Sequence, residues 1–265
     1  MTERLDSALA ARGLARSRTH AATMIAGGLV SVDGRPVVKA SHRVEDDAVL
    51  EVAASDHYVS RAAHKLIAAL DAFDVPVRGR VALDMGASTG GFTQVLRERG
   101  AEPVIAVDVG HGQLAASLAV DTGVVSIEGF NVRAMTRESV AEASGIASPP
   151  DLVTGDLSFI SLRHVLPAAR QTATDDADFV LLVKPQFEAG RTAVKGGLVT
   201  NGAVRSDAVM GVLWAAWDVG LGTRGVVASP IAGTHGNAEF VAHFRAGDGG
   251  NPTEWSDIVN RLAGA

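Results

Sequence analysis

Apolar positions in the first fifty residues follow two rhythms. Leu5 and Leu9 recur one turn apart between Thr2 and Arg12, with Gly13 placed to stop the run, which predicts a short helix. Ser17 is a capping residue ahead of a second helix over residues 18–26, ended by Gly27-Gly28. The rhythm then shortens. Leu29-Val-Ser-Val reads as a strand, Asp33-Gly34 as a tight turn, Pro36-Val-Val as the return and Val49-Leu-Glu-Val as the strand closing a small sheet. Residues 53–59 are polar and patternless and read as a linker.

From residue 60 the pattern alternates between strand and helix. A helix from Ser60 to about Phe73 carries Leu66, Ile67 and Leu70 on one side. Strands are expected at 80–85, 103–108, 124–128, 151–156 and 179–184, with helices at 90–99, 112–120, 136–144 and 161–170 between them. A long helix at about 202–219 leads to two last strands, 224–229 and 238–245, which read as an antiparallel hairpin. This is an α/β chain: a doubly wound, Rossmann-like domain over residues 60–265 behind a small α+β domain over residues 1–52. Six parallel strands and a reversed seventh would describe a class I methyltransferase, although other doubly wound enzymes share most of the order. Trp214, Trp217 and Trp255 read as packing residues of the late helices.

Composition narrows the chemistry. Of 265 residues, 47% are hydrophobic and 20% charged, an ordinary soluble globular balance that excludes disorder as the main state. The longest wholly apolar strand-like run, Phe179–Val183, is far short of the ~20 residues of a membrane span. The start, Met-Thr-Glu-Arg-Leu-Asp, lacks the features of a signal peptide, so a cytoplasmic location is expected. Cysteine is absent, which excludes disulfides, thiolate zinc, iron–sulfur chemistry and a cysteine nucleophile; no metal site is expected. The net charge of −6 conceals an asymmetry. Residues 1–43 hold seven Lys/Arg against three acids, a net +4, and the rest of the chain carries −10, so one end favours a polyanion.

The first strand of the large module runs into Asp84-Met-Gly86-Ala87-Ser88-Thr89-Gly90-Gly91. Glycines here let the backbone turn sharply and approach a ligand at the carboxyl edge of the sheet. A mononucleotide loop needs Lys after the last glycine, where Phe92 stands, and a dinucleotide fingerprint needs a second glycine that the tract lacks. S-adenosylmethionine fits better: Asp84 can pair with its amino group, the loop amides with its carboxylate, and Asp108, ending the second strand, with its ribose hydroxyls.

The fourth strand ends Asp156-Leu-Ser-Phe159, where amine methyltransferases carry a proline-containing tetrad. Proline is missing, which disfavours an amine target, and pyrimidine C5 chemistry lacks its cysteine. An oxygen target remains. The fifth strand ends in Lys184 after five apolar residues, an unusual place for an ammonium. Lys65 can supply a second cation that would depress the pKa of Lys184, and Glu239 stands at the start of a reversed last strand. Four separated groups, Lys65, Asp156, Lys184 and Glu239, thus converge on one edge.

Two resemblances follow from these motifs. "RLDSALAARGLARSRTHAATMIAGGLVSVDGRPV" resembles an S4 RNA-binding domain, which implies Arg4, Arg16 and Arg18 as contacts to backbone phosphates and shaped RNA. "SRAAHKL", "DLSF", "LVKPQFE" and "GNAEF" match in order the K-D-K-E set of ribose 2′-O-methyltransferases. Together the chain resembles the TlyA-type haemolysin family of ribosomal RNA 2′-O-methyltransferases over about residues 2–245. One departure is Asp56-His57-Tyr58-Val59, where relatives often carry Arg-x-Trp-Val, which weakens the expected coupling between the domains.

The resemblance implies S-adenosylmethionine as cofactor, ribosomal RNA or a ribosomal subunit as partner, and cytidine 2′-O-methylation as the reaction. Lys184 would take the hydroxyl proton or steer its lone pair, Asp156 would hold Lys184 and lie against the donor near its methyl, Lys65 would reach the target phosphate or ribose, and Glu239 would anchor the lysines. Arg61, Arg133 and Arg191 are expected to touch phosphates around the target, and Gly190–Gly197 to form a loop that closes on substrate. Rival readings are a catalytically weak RNA-binding assembly factor, a methyltransferase of DNA or small molecules, and a membrane-lytic protein.

Overall fold

A computed structural model describes residues 2–52, 57–190, 193–233 and 236–265. The chain divides into two compact units, Met1–Arg61 and Ala62–Ala265.

The first unit contains β1 (Thr2–Arg4), α1 (Leu5–Ala11), α2 (Arg18–Ala26), β2 (Val30–Val32), β3 (Arg35–Pro36), β4 (Arg43–Glu45) and β5 (Leu50–Val52). The helices share a core of Leu5, Ala8, Leu9, Ala21 and Ile25 with Val30 and Val44. Ser17 caps α2 as expected, its hydroxyl accepting the His20 amide at 3.1 Å. Asp33 and Gly34 both take positive φ, 49° and 72°, the geometry of a two-residue hairpin turn. The expected helix at Thr2 is corrected. Residues 2–4 are a strand paired antiparallel with Arg43–Glu45, and the helix begins only at Leu5. Forty residues separate those partners, so no local pattern could announce the pairing.

The second unit is built on seven strands: β6 (Ala82–Met85), β7 (Val104–Val107), β8 (Val124–Ile127), β9 (Leu152–Gly155), β10 (Asp178–Val183), β11 (Leu221–Ala228) and β12 (Phe240–Ala246). Their order is β11-β12-β10-β9-β6-β7-β8, and β12 alone runs against its neighbours. This is the expected α/β sheet with a reversed seventh strand. Helices α3 (Ala62–Phe73), α4 (Gly91–Glu98), α5 (Ala116–Ala119), α6 (Arg137–Ser144), α7 (Leu166–Thr172) and α9 (Gly202–Asp218) follow in turn, with a short α8 (Pro185–Glu188) after β10 and α10 (Ser256–Ala263) at the end. β6, β7, β9 and β10 are buried along their whole length, which is why they read as apolar runs without alternation. Phe179, Phe240 and Phe244 are fully buried, each worth about 2–3 kcal/mol in transfer terms.

Three expectations shift. The helix expected at 112–120 shrinks to α5, because residues 108–113 wrap around a cleft instead. Ser161 caps a single 3₁₀ turn, Leu162–His164, before α7 starts at Leu166. Trp214 and Trp217 are not core residues: they lie on the exposed side of α9, whose inner side is Val209, Val212, Leu213 and Ala216. Trp255 does pack, partly buried, against the core.

Candidate functional site

In a parallel sheet the loops after β6, β7, β9 and β10 leave from one edge, and reversal of β12 brings its first residue to the same edge. The glycine tract turns over the end of β9. Gly86, at φ 78°, leaves no room for a side chain: a Cβ would come within 3.0 Å of both the Asp156 carbonyl oxygen and the Leu157 side chain. Gly90, at φ 99°, caps α4 against Leu114 and Leu118. Ser88 also sits in the left-handed region, φ 49°, a strain of about 1–2 kcal/mol for a residue with a side chain. Asp108 holds it there, its Oδ2 accepting the Ser88 amide at 2.9 Å and its Oδ1 the Gly110 amide at 2.7 Å.

Beside this loop lies a cleft of about 480 Å³. Gly86, Ser88, Asp108 and Asp156, four of the residues expected to bind the donor, line it. Gln113, Phe130, Asn131 and the 157–160 segment, which carried no distinguishing signal, line it too. Ala87, Thr89, Gly90 and Gly91 do not; they shape the loop that does. A wall of Val107, Val109, Phe130, Leu157 and Ile160 with the carboxylate of Asp108 matches a nucleoside with a planar base and a diol, so the residues present fit S-adenosylmethionine.

Asp84 departs from its expected contact with the donor's amino group. Its carboxylate has no exposure and is absent from the cleft lining; Oδ2 accepts the Thr93 hydroxyl at 2.7 Å and Oδ1 the Thr154 hydroxyl at 3.0 Å. It ties β6 to α4 and β9 beneath the loop. Burial pushes its carboxyl up to about 6 against the pull of the two threonines. A carboxyl whose folded pKa is raised contributes stability that is complete below the unfolded value and lost as pH rises through the folded one. Asp84→Asn, which copies the neutral form, is therefore expected to melt no lower than wild type at pH 7.5, with any advantage smaller at pH 5 and gone only below about 4. Thermal unfolding at the two pH values checks this, and a markedly lower midpoint for the variant at pH 7.5 would contradict it.

The four convergent groups form two ion pairs. Lys184 Nζ lies 2.5 Å from Asp156 Oδ1 and donates to Ser158 Oγ at 2.9 Å. Lys65, on α3, donates to Glu239 Oε2 at 2.5 Å. Val183 stands opposite Phe240 in the β10–β12 register, so Lys184 and Glu239, one step beyond, end adjacent strands. Lys65, Lys184 and Glu239 are all buried. Asp156 thus pairs with Lys184 and Glu239 with Lys65, a carboxylate beside each ammonium. Gly233 is needed beside Glu239, because any Cβ there would overlap the carboxylate. Buried Asn237 accepts the Val199 amide at 3.1 Å and donates to the Gly197 carbonyl at 2.7 Å, tying the 197–199 segment to the residues just before β12.

Phe159 is 91% exposed, its φ is 65°, and its ring faces Phe187 at 5.3 Å. An exposed aromatic on a strained backbone at the mouth of a cleft can stack on a planar group.

The arginines divide. Arg16 and Arg18 are exposed, Arg18 lying 3.4 Å from Asp6. Arg4 gives two donors to Asp6, both at 2.9 Å, and so serves the fold of its own unit. Arg12, not singled out for a role, donates to the carbonyls of Ala48, Glu45 and Asp46. Arg61 closes the first unit, its guanidinium beside Gly28. Arg133 is exposed on the 3₁₀ turn beside the cleft residues Asn131 and Val132. Arg191 lies outside the described residues.

The reversed-strand sheet and its glycine-loop cleft define a class I methyltransferase that uses S-adenosylmethionine. Residues 58–246 match the FtsJ-like methyltransferase model and residues 3–50 the S4 domain, and the chain belongs to the FtsJ-like methyltransferase family. It is 49% identical to the 16S/23S rRNA (cytidine-2′-O)-methyltransferase TlyA of Mycobacterium tuberculosis, covering 91% of this chain and 89% of that one. It is 38% identical to Hemolysin A of Brachyspira hyodysenteriae, covering 91% of this chain and 99% of that one. A solved structure described as a candidate hemolysin from Streptococcus thermophilus is similar with a TM-score of 0.76 at 36% identity, covering 98% of this chain and 95% of the other. Among the described residues no helix is long and apolar enough to cross a membrane.

Proposed function

We propose that this chain methylates the ribose 2′-hydroxyl of cytidine in ribosomal RNA, of the small subunit, the large subunit or both, acting on ribosomal subunits in the cytoplasm. The observation that carries the reading is the pairing of buried Lys184 with Asp156, 2.5 Å apart, at the edge where the nucleoside cleft opens. The Mycobacterium tuberculosis relative, named for this reaction, supports the choice of nucleotide and RNA.

Bound S-adenosylmethionine supplies an activated methyl group, so the protein's work is alignment and removal of one proton. Asp156 and Ser158 orient Nζ of Lys184 toward the incoming hydroxyl; as a neutral amine Lys184 takes its proton, and as an ammonium it directs its lone pair. Glu239 holds Lys65 where it can meet the ribose or its phosphate. Phe159 offers a face to the target base once that base leaves its stack. Asp108 receives the donor's ribose, and Asp84 supports the loop from below. Residues 1–52, joined through a linker at 53–59, grip structured RNA through Arg16 and Arg18 with a lesser part for Arg4, while Arg61, Arg133 and Arg191 contact phosphates near the target.

Mass-spectrometric mapping of ribosomes from cells with and without the protein tests the reading. A 2′-O-methylcytidine that disappears with the protein is expected; unchanged ribose methylation would end it. Replacing Arg16 and Arg18 together by Glu is expected to raise the KM for ribosomal substrate at least tenfold and to lower the salt dependence of binding, leaving donor affinity unchanged.

A further inference from the structure

We infer that Glu188 is a positioning residue for methyl transfer: from the segment after β10 it clamps the segment after β9, and so fixes Lys184 against Asp156. The inference rests on the role proposed for those two residues. Glu188 ends α8 and is buried. Its Oε2 accepts the Ser161 hydroxyl at 2.5 Å and its Oε1 the Leu162 amide at 2.8 Å. Its backbone carbonyl accepts Arg163 Nη2 at 2.8 Å, and Arg163 Nε lies 3.6 Å from Oε2. One residue therefore engages three consecutive residues of the neighbouring segment.

The two segments begin with the reacting pair. Asp156 follows β9 directly and Lys184 follows β10 directly, and their ion pair ties the segments at the strand ends. Glu188 makes the second tie four residues on. Between the ties lie Phe159 and Phe187, their rings facing each other. A left-handed φ at a phenylalanine is kept only where its surroundings over-determine it, and Phe159 has a fixed point on each side: Ser158 on Lys184, Ser161 on Glu188.

A carboxylate is the side chain suited to this place. Ser161 O–H and Leu162 N–H converge from the open start of the 3₁₀ turn, and two acceptor oxygens on one carbon satisfy both. Burying such a group is costly, and burial does push the Glu188 carboxyl above its usual range. A surface loop needing only adhesion could be held by an apolar contact at lower cost. A buried ionisable staple between the two segments that carry the reacting pair is better explained by the demand for fixed geometry, since a 1 Å misplacement can cost about a hundredfold in rate.

The test compares full-length Glu188→Gln, Ser161→Ala, the double variant and Lys184→Ala. Single-turnover transfer to ribosomal substrate is read at saturating donor, with donor affinity by calorimetry and amide hydrogen exchange at residues 162–164. Glu188→Gln, an isosteric change, is expected to slow transfer about 10- to 100-fold, with donor affinity within about twofold and faster exchange at Leu162. Adding Ser161→Ala should cost little more, because the two act through one contact. Wild-type transfer by Glu188→Gln overturns the clamp, as does a rate loss matched by an equal loss of donor affinity. An inactive Lys184→Ala beside a fully active Glu188→Gln discards the clamp and keeps the reacting pair, whereas full transfer by Lys184→Ala discards both.

Discussion

Lys184→Ala is expected to lower single-turnover methyl transfer by about 10²- to 10⁴-fold, the range spanned by a lost general base, while binding S-adenosylmethionine nearly as wild type. The first half follows from placement. Lys184 is the residue after a wholly buried strand, its ammonium held 2.5 Å from Asp156 and bonded to Ser158, so both its position and its orientation are set before substrate arrives. The second half follows from the cleft, whose lining includes Asp156, Ser158 and Asp108 but not Lys184. Lys184→Arg separates two roles. A guanidinium keeps the charge and does not deprotonate in the accessible pH range, so Arg restores activity if Lys184 acts by charge and fails if it takes the proton. Near-normal transfer in Lys184→Ala on ribosomal substrate would remove the mechanism, and a collapse of donor affinity in the same variant would assign Lys184 to binding.

What could be read in the chain divides along the range of the interactions. Ser17 capping α2 and the Asp33-Gly34 turn are settled by residues two or three apart, and both were legible. The tetrad's edge was legible as well, because parallel strands end together and a reversed last strand begins there. Of its pairing, Asp156 on Lys184 was legible, whereas Lys65 as the partner of Glu239 depends on the register of β10 against β12 and on where α3 lies over them. Asp84 shows the same limit from another side. An acid ending a strand before a glycine tract looks like a ligand contact, and only the approach of Thr93 and Thr154 turns it into a buried support. The clue lay in Thr154, a hydroxyl in an otherwise apolar strand. Nothing in the pattern distinguished Phe159 from a packed aromatic, because exposure is a property of the assembled edge.

The opposite end of β10 carries the largest expected effect on stability. Asp178, first residue of that strand and buried, accepts a hydrogen bond from Arg80 Nη1 at 2.7 Å, lies 2.8 Å from His243 Nε2 and meets Arg245, its register partner on β12, at 3.5 Å. Arg80 in turn reaches the Asp151 carbonyl just before β9. One carboxylate thus joins β10, β12 and the approaches to β6 and β9. Asp178→Ala leaves a partly buried guanidinium and a buried imidazole without their carboxylate, a loss of about 3–5 kcal/mol, which in a chain of this size lowers the unfolding midpoint by roughly 10 °C. Burial pushes the Asp178 carboxyl up, but the bonds from His243 and Arg80 outweigh it and hold the group below its usual range. Its contribution is therefore complete above the unfolded value of ~3.9 and lost as pH falls through the lower, folded one. The part of the gap between wild type and Asp178→Ala that comes from this carboxylate should close only below about pH 4. Because β10 places Asp178 roughly 20 Å from Lys184, the variant is expected to transfer methyl groups normally at temperatures where it remains folded. A variant that melts with wild type would show the network to be ornamental, and one that is folded yet inactive would show that the two ends of the strand are coupled.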